Sequence, residues 1–215
     1  MDALAGSTTS GEINPPRRCE WAQSHQAMAD YHDWEWARPV LDEQAMFERL
    51  CLEAFQAGLS WSLVLTRREA LRSGFAGFDF FVLADWGRAE IEAALGCDGV
   101  IRNLAKATAV VKNARATKEL VQSGGSLVHT VWEAASEAGE FARWADVPSA
   151  TAESTLLAKR LARAGFSFVG PVSAYATMQA SGVVNDHVSS CAFRSVVAEE
   201  RRRALKRLGM PPDPG

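Results

Sequence analysis

The stretch "ALGCDGVIRNLAKATAVVKNAR", Ala94 to Arg115, holds two helical runs on either side of a turn punctuated by Gly96 and Gly99. Alanine, leucine and lysine favour helix, and glycine supplies the backbone freedom a sharp turn needs. A helix that starts just after Gly99 aims free backbone N–H groups out of the turn. Such donors, aided by the helix dipole, bind phosphate. Arg102 and Lys106 stand close enough along the chain to add positive charge. The segment over about 91–106 therefore fits a helix-hairpin-helix that grips one nucleic-acid strand by its backbone, through Gly96, Gly99, Arg102 and Lys106. An ordinary αα turn uses glycine for the same steric reason, so the stretch alone leaves both readings open.

Outward from the hairpin, the helical signal continues. "DEQAMFERLCLEAFQAG" opens on Asp42 as a cap, repeats apolar residues at Met46, Phe47, Leu50, Cys51 and Ala54, and stops at Gly58. Ser60 caps the next helix. A third runs from about Arg102 to Val121 and ends before Gly124-Gly125. Another covers about Ser149 to Ala164, closed by Gly165. Pro171 starts one that ends at Gly182, and the last begins at Asn185 or Asp186. The only strand candidate, "FSFVG", is short. The pattern predicts an all-α chain. Its 215 residues, 47% of them hydrophobic, suffice for a large core. No apolar run is long enough for a membrane, and "MDALAGSTTSGEINPP" has neither the basic start nor the apolar core of a secretory signal. The expectation is a cytoplasmic monomer with no membrane partner and reduced cysteines. A net charge of −3 argues against coating nucleic acid by bulk charge, although "EERRRALKR" makes a local basic cluster.

Two stretches carry candidate chemistry. "VVNDHVSSC" sets His187 and Cys191 four residues apart, on one face of the predicted last helix. "RCEWAQSHQAMADYHDWEW" contains Cys19 and His32, read as lying across a loop. Together they form a Cys2His2 set of the kind zinc takes tetrahedrally, and such a site is structural because it has no open position. The separation of the two pairs is far beyond zinc-finger spacing, and a His-x3-Cys pair arises readily by chance. Glu53 falls among Leu50, Leu52 and Phe55, where a carboxylate must be paired or face water. Glu48 and Arg49 show that this helix has a charged side, so a solvated Glu53 is the plain alternative. Trp21, Tyr31, Trp34, Trp36 and Trp61 cluster in the same third of the chain. They suit core packing, and they equally suit a pocket for a flat cationic heterocycle.

Taken together, "RCEWA", "YHDWEW", "CLEAFQAGLSW", "GVIRNLAKATAVVKNAR", "GFSFVGPVSAYATMQASGVVNDH" and the closing Cys191 resemble the DNA-3-methyladenine glycosylase I family, over about Arg18 to Arg194. The resemblance implies an all-helical, two-lobed helix-hairpin-helix glycosylase that acts on alkylated double-stranded DNA and frees 3-methyladenine. It implies one structural zinc on Cys19, His32, His187 and Cys191, joining the two ends of the chain and lying apart from the pocket. It implies that Glu53 is the base-recognising and catalytic carboxylate, with Trp21, Tyr31, Trp36 and Trp61 forming the base pocket. Many glycosylases of this superfamily use an aspartate shortly after the hairpin. Val111 to Thr130 contains none and has only Glu119 as an acid, which fits a family that releases an already labile base. The chain departs from the family's usual Asp-Asn-Glu-Trp-Gly at Trp34 and Ala37, and from its usual glycine at Ala54, leaving substrate range open. The division that follows is a leader over 1–16, a glycosylase domain over 17–194 and a basic helical tail over 195–215. The reading from a different class is a helical zinc-bearing protein that binds damaged DNA with base excision altered or lost. A Ser–His–Asp hydrolase built on Ser189, His187 and Asp186 has no G-x-S-x-G elbow to support it.

Overall fold

The computed structural model describes residues 16–136 and 139–211. Among them there is no strand, and ten α-helices form: α1 Gln26–Trp34, α2 Glu43–Gln56, α3 Trp61–Gly74, α4 Phe80–Leu83, α5 Arg88–Gly96, α6 Leu104–Gln122, α7 Leu127–Trp132, α8 Ala152–Arg163, α9 Pro171–Ala180 and α10 Arg194–Arg207. The predicted leader lies almost wholly outside the described residues. Among the described residues no helix is long and apolar enough to cross a membrane.

The caps are local sequence chemistry. Asp42, Ser60 and Asn103 each accept a hydrogen bond from the backbone N–H three residues on, at the starts of α2, α3 and α6. Glu43 reaches across to the start of α7, where its carboxylate accepts from Leu127 N at 2.9 Å and from the Ser126 hydroxyl. α2 is the central helix. Every residue from Leu50 to Phe55 is buried, which is why its apolar pattern runs nearly all round rather than along one stripe. α9, α3, α6 and α7 pack against it, while α4 and α5 lean on α6 and α8 on α9. Two apolar clusters result. The larger is built on α2 to α9 and the inner face of α10. The smaller joins Cys19, Tyr31, Trp36 and Ala37 to Ala180, Val188, Cys191 and Val197.

Two sequence expectations give way here, and a helix appears that the sequence did not announce. His187 and Cys191 are not on a helix: α10 begins only at Arg194. Their segment makes only isolated turn bonds, such as Cys191 N to Val188 O, and otherwise hydrogen-bonds to distant parts of the chain, with Ala192 N donating to Arg17 O and Ser189 N to Phe141 O. His32 is not across a loop from Cys19. A 3-10 turn over Glu20–Gln23 leads into α1, which carries it. α7 was not foreseen, because six residues are too few to show a period.

Many charges read as a basic surface are structural. Lys106 is buried, and its ammonium donates to the Phe55 and Ala57 carbonyls at 2.7 and 2.5 Å, closing the C-terminus of α2. Arg115 caps Ala84 and Trp86 carbonyls, and Lys118 pairs with Asp85. In the tail, Arg201 is buried and donates to Val183 O and Ser136 O, while Arg202 and Arg203 pair with Glu199.

Candidate active site

Where the two clusters meet, a cavity of 220 Å³ opens. It is smaller than the pockets of drug-sized ligands, about 300–1,000 Å³, and suits a single heterocycle. Trp21, Tyr31, Trp36 and Trp61 all line it, as the sequence predicts, together with Glu53. Tyr31 and Trp61 lie 5.0 Å apart between ring centroids, and Trp21 meets Trp36 edge-on at 5.1 Å. Sequence reading missed Met28, Gln56, Trp144, Ala176 and Gln179, which complete the wall. Only Gln56 carried a signal, being three residues from Glu53 on the same helical face. Trp144 and the α9 residues arrive from distant parts of the chain.

Glu53 does not face water as a solvated helix residue. It is 5% exposed, borders the cavity, and makes no hydrogen bond among the described residues. Burial raises its pKa to about 8, with the Arg49 guanidinium a smaller opposing influence. That guanidinium lies 5.7 Å from the Tyr31 ring centre and pairs with Glu35 at 3.3 Å. A buried carboxyl with no partner destabilises the fold, so its persistence beside a cavity points to a ligand. Glu119 is exposed and lies outside the cavity.

Cys19, His32, His187 and Cys191 do converge. They are all buried, their ligand atoms lie within 4.8 Å of one another, and the group is able to hold a metal ion. His32 offers Nε2, because its Nδ1 is 2.8 Å from Asp33 Oδ1, and Arg18 donates to both oxygens of that carboxylate. Burial pushes the Asp33 carboxyl up, but Arg18 and His32 together offset this and hold it below the usual range. The neighbouring Cys19 thiol, and against the effect of burial the two histidines, hold Cys191 well below the usual thiol range, while the Cys191 sulfur and burial push Cys19 up. The cluster is not remote from the cavity, contrary to the sequence expectation. Trp36 sits edge-on to His187 at 4.7 Å, and Trp21 edge-on to His32 at 5.3 Å.

At the hairpin, α5 and α6 flank the turn, but Gly96 is the last residue of α5 and not part of the turn, and α6 starts only at Leu104. Gly99 has φ +78°, and a Cβ there would stand 2.9 Å from Ala70 Cβ. The turn borders a shallow groove with Arg102 and, unforeseen, Arg67. Neither arginine has a carboxylate partner among the described residues, and the Gly99, Ile101 and Arg102 amides donate to no protein acceptor. Lys106, committed to α2, is not exposed there.

The departures resolve simply. Trp34 is 74% exposed and stands by Arg38, Arg203 and Arg207, outside the cavity. Ala54 is buried and does not line the cavity. Ala37 holds φ 60°, the left-handed region where glycine is at ease. Its carbonyl approaches Gly182 so closely that a Cβ on that residue would lie 2.8 Å away.

A base swung out of a duplex loses two stacking faces and a hydrogen-bonding edge, and this cavity offers both again. The class so defined is a helical DNA glycosylase. A family model described as methyladenine glycosylase matches residues 21–195, and the chain belongs to that family. It is 38% identical over 177 residues to "DNA-3-methyladenine glycosylase" of Haemophilus influenzae, covering 81% of this chain and 96% of that one. It is likewise 38% identical to "DNA-3-methyladenine glycosylase 1" of Escherichia coli, over 81% of this chain and 95% of that one. A crystal structure of 3-methyladenine DNA glycosylase I superposes with a TM-score of 0.79 at 38% identity, over 82% of this chain and 98% of the other. Another, a variant in complex with 3-methyladenine, superposes at 0.78 with 26% identity, over 82% and 97%.

Proposed function

We propose that this protein removes 3-methyladenine from alkylated double-stranded DNA by hydrolysing the glycosidic bond of a flipped nucleotide. The observation that carries the reading is Glu53, a buried carboxyl with no hydrogen bond among the described residues, on an aromatic cavity sized for one base. Methylation at N3 makes the nucleotide's adenine cationic. Burial favours the protonated acid in the empty cavity, with its pKa near 8. A cation beside it reverses that preference, so base binding expels the proton and forms a charge-assisted hydrogen bond. Neutral adenine brings no charge and leaves the carboxyl in its disfavoured environment.

As the bond between sugar C1′ and base N9 breaks, its electron pair flows into the ring and cancels the ring's positive charge. Water adds to C1′ and loses a proton, which leaves an abasic site. The departing base needs no strong acid, consistent with the absence of an aspartate after the hairpin. Glu53 faces a neutral product, regains its proton and lets the base go. Trp21, Tyr31, Trp36 and Trp61 supply stacking. The free Gly99, Ile101 and Arg102 amides, with the Arg102 guanidinium, hold the strand by its phosphates.

The four-residue cluster fits zinc. Tetrahedral zinc bound to sulfur and nitrogen sets these atoms about 3.6 Å apart. The separations here are 3.6 Å for Cys19 Sγ to His187 Nδ1, 3.5 Å for Cys191 Sγ to His32 Nε2, and 3.3 Å for Cys191 Sγ to His187 Nδ1. Bound there, the ion supplies a crosslink between the N-terminal segment and the turn before α10, not a reactive water. The test is Glu53→Gln on a duplex containing 3-methyladenine. A single-turnover excision rate ten- to a thousand-fold below wild type is expected, about 1.4 to 4 kcal/mol of transition-state stabilisation. An unchanged rate removes Glu53 from the mechanism.

A further inference from the structure

The cavity contains a second acceptor whose direction is fixed by residues behind it. Gln179, on α9, lines the cavity. Its Nε2 donates to Asp186 Oδ2 at 2.8 Å, and the Tyr175 hydroxyl donates to the same oxygen at 2.6 Å. Tyr175 and Asp186 are both buried. A glutamine amide has nearly the same shape when turned over, so chemistry must decide its orientation. Turned over, Oε1 would face a carboxylate oxygen and both would repel, while the NH2 donors would lose their partner. The amide nitrogen is thus committed to Asp186. Oε1 remains, with no protein donor among the described residues, and it is not among the sealed-off polar atoms that lack a partner. The open space that Gln179 borders is the cavity.

We propose that Gln179 is a specificity-determining residue, held by Asp186 as a one-way acceptor whose Oε1 takes an N–H of the flipped base. The inference rests on the excision reading and deepens it. An exocyclic amino group has two N–H donors, one for the Glu53 carboxylate and one for Gln179. A carbonyl at the same ring position offers only an acceptor, and two oxygens would face it. A site built to receive a donor rejects a base lacking it far better than an apolar wall does, because buried acceptors are then left unpaired. The cavity therefore selects N3-methylated purines with an amino group at position six over those with a carbonyl. Asp186 and Tyr175 act as positioning residues, since neither lines the cavity.

The experiment compares single-turnover release from two duplexes, one carrying 3-methyladenine and one carrying 3-methylguanine. Wild type should favour 3-methyladenine strongly. Gln179→Met keeps the length and apolar bulk but removes the acceptor. It should lower 3-methyladenine release about ten-fold, equal to about 1.4 kcal/mol, and leave 3-methylguanine release unchanged or raised. Asp186→Asn should narrow the preference in the same direction, since an amide there accepts either orientation of Gln179. Metal content and melting temperature are measured on both variants, because Asp186 adjoins His187. Equal losses on both substrates mean that Gln179 only packs, and they overturn the proposal. An unchanged preference in both variants does the same. Wild type that releases neither base overturns the excision reading itself, a result distinct from either.

Discussion

Glu53→Gln should make the free protein more stable while it makes excision slower. In the folded chain the carboxyl titrates near pH 8, against 4.5 when unperturbed. Below pH 4.5 both folded and unfolded states hold the proton, and Glu53 has no pH-linked effect. Between 4.5 and 8 the unfolded chain has released its proton and the folded chain has not. The unfolded state therefore binds fewer protons, and stability falls as pH rises across that window. Above 8 the loss is complete. At about 1.4 kcal/mol per unit, the loss reaches about 3 kcal/mol by pH 7 and about 5 kcal/mol above pH 8. Glutamine keeps the shape and does not titrate. The variant's advantage should be near zero at pH 4 and about 3 kcal/mol at pH 7. For a chain of this size each kcal/mol moves the melting temperature by about 2–4 °C. Denaturation of metal-replete wild type and variant at pH 4.5, 6, 7 and 8 measures the difference. A gap that stays flat with pH, or that favours wild type at pH 8, would refute the claim that an unpaired, desolvated carboxyl lines the empty cavity.

Trp61→Ala should weaken base binding by about 1–3 kcal/mol through lost stacking, read by fluorescence titration with free 3-methyladenine, and should leave metal content intact. Elemental analysis should find one zinc per chain. Cys191→Ser should lower the melting temperature and also alter tryptophan fluorescence, because Trp21 and Trp36 pack on His32 and His187; a purified folded chain without metal, insensitive to chelator, contradicts this. Arg102→Ala should reduce the salt dependence of DNA affinity by about one phosphate's worth, a slope change of about 0.9, whereas Lys106→Met should leave the slope alone and lower stability by freeing the α2 carbonyls. Equal slope changes in both would return Lys106 to the DNA surface.

The long helices were legible because each carries its own punctuation. Asp42, Ser60 and Pro171 stand where caps or helix starts must be, and the residues that follow repeat with helical period. The His187–Cys191 segment was misread because i,i+4 spacing is compatible with helix but does not require it. Tertiary hydrogen bonds to Arg17 and Phe141 decide the matter, and no local window contains them. Lys106 was misplaced for a related reason: on an amphipathic pattern a lysine reads as surface, and only the arrival of the α2 C-terminus gives its ammonium a buried partner. In the cavity, Trp21, Tyr31, Trp36, Glu53 and Trp61 could be grouped from sequence because they are close along the chain and chemically conspicuous, whereas Met28 and Gln56 between them read as ordinary helix residues. Trp144, Ala176 and Gln179 come from far away, and nothing local marks them. Glu53 was only half readable: Glu48 and Arg49 gave its helix a charged side, so the residues alone allowed a solvated carboxylate, and only the burial of Leu50 to Phe55 on every side removes that alternative.

The most direct test is chromatographic identification of what wild type releases from a duplex containing 3-methyladenine, under single-turnover conditions at neutral pH. Free 3-methyladenine should appear with a matching quantity of abasic sites in the strand, and at a rate ten- to a thousand-fold above that of Glu53→Gln. Tight binding of the duplex with no free base, or release at the spontaneous rate, would contradict the account and leave a damage-binding protein in its place.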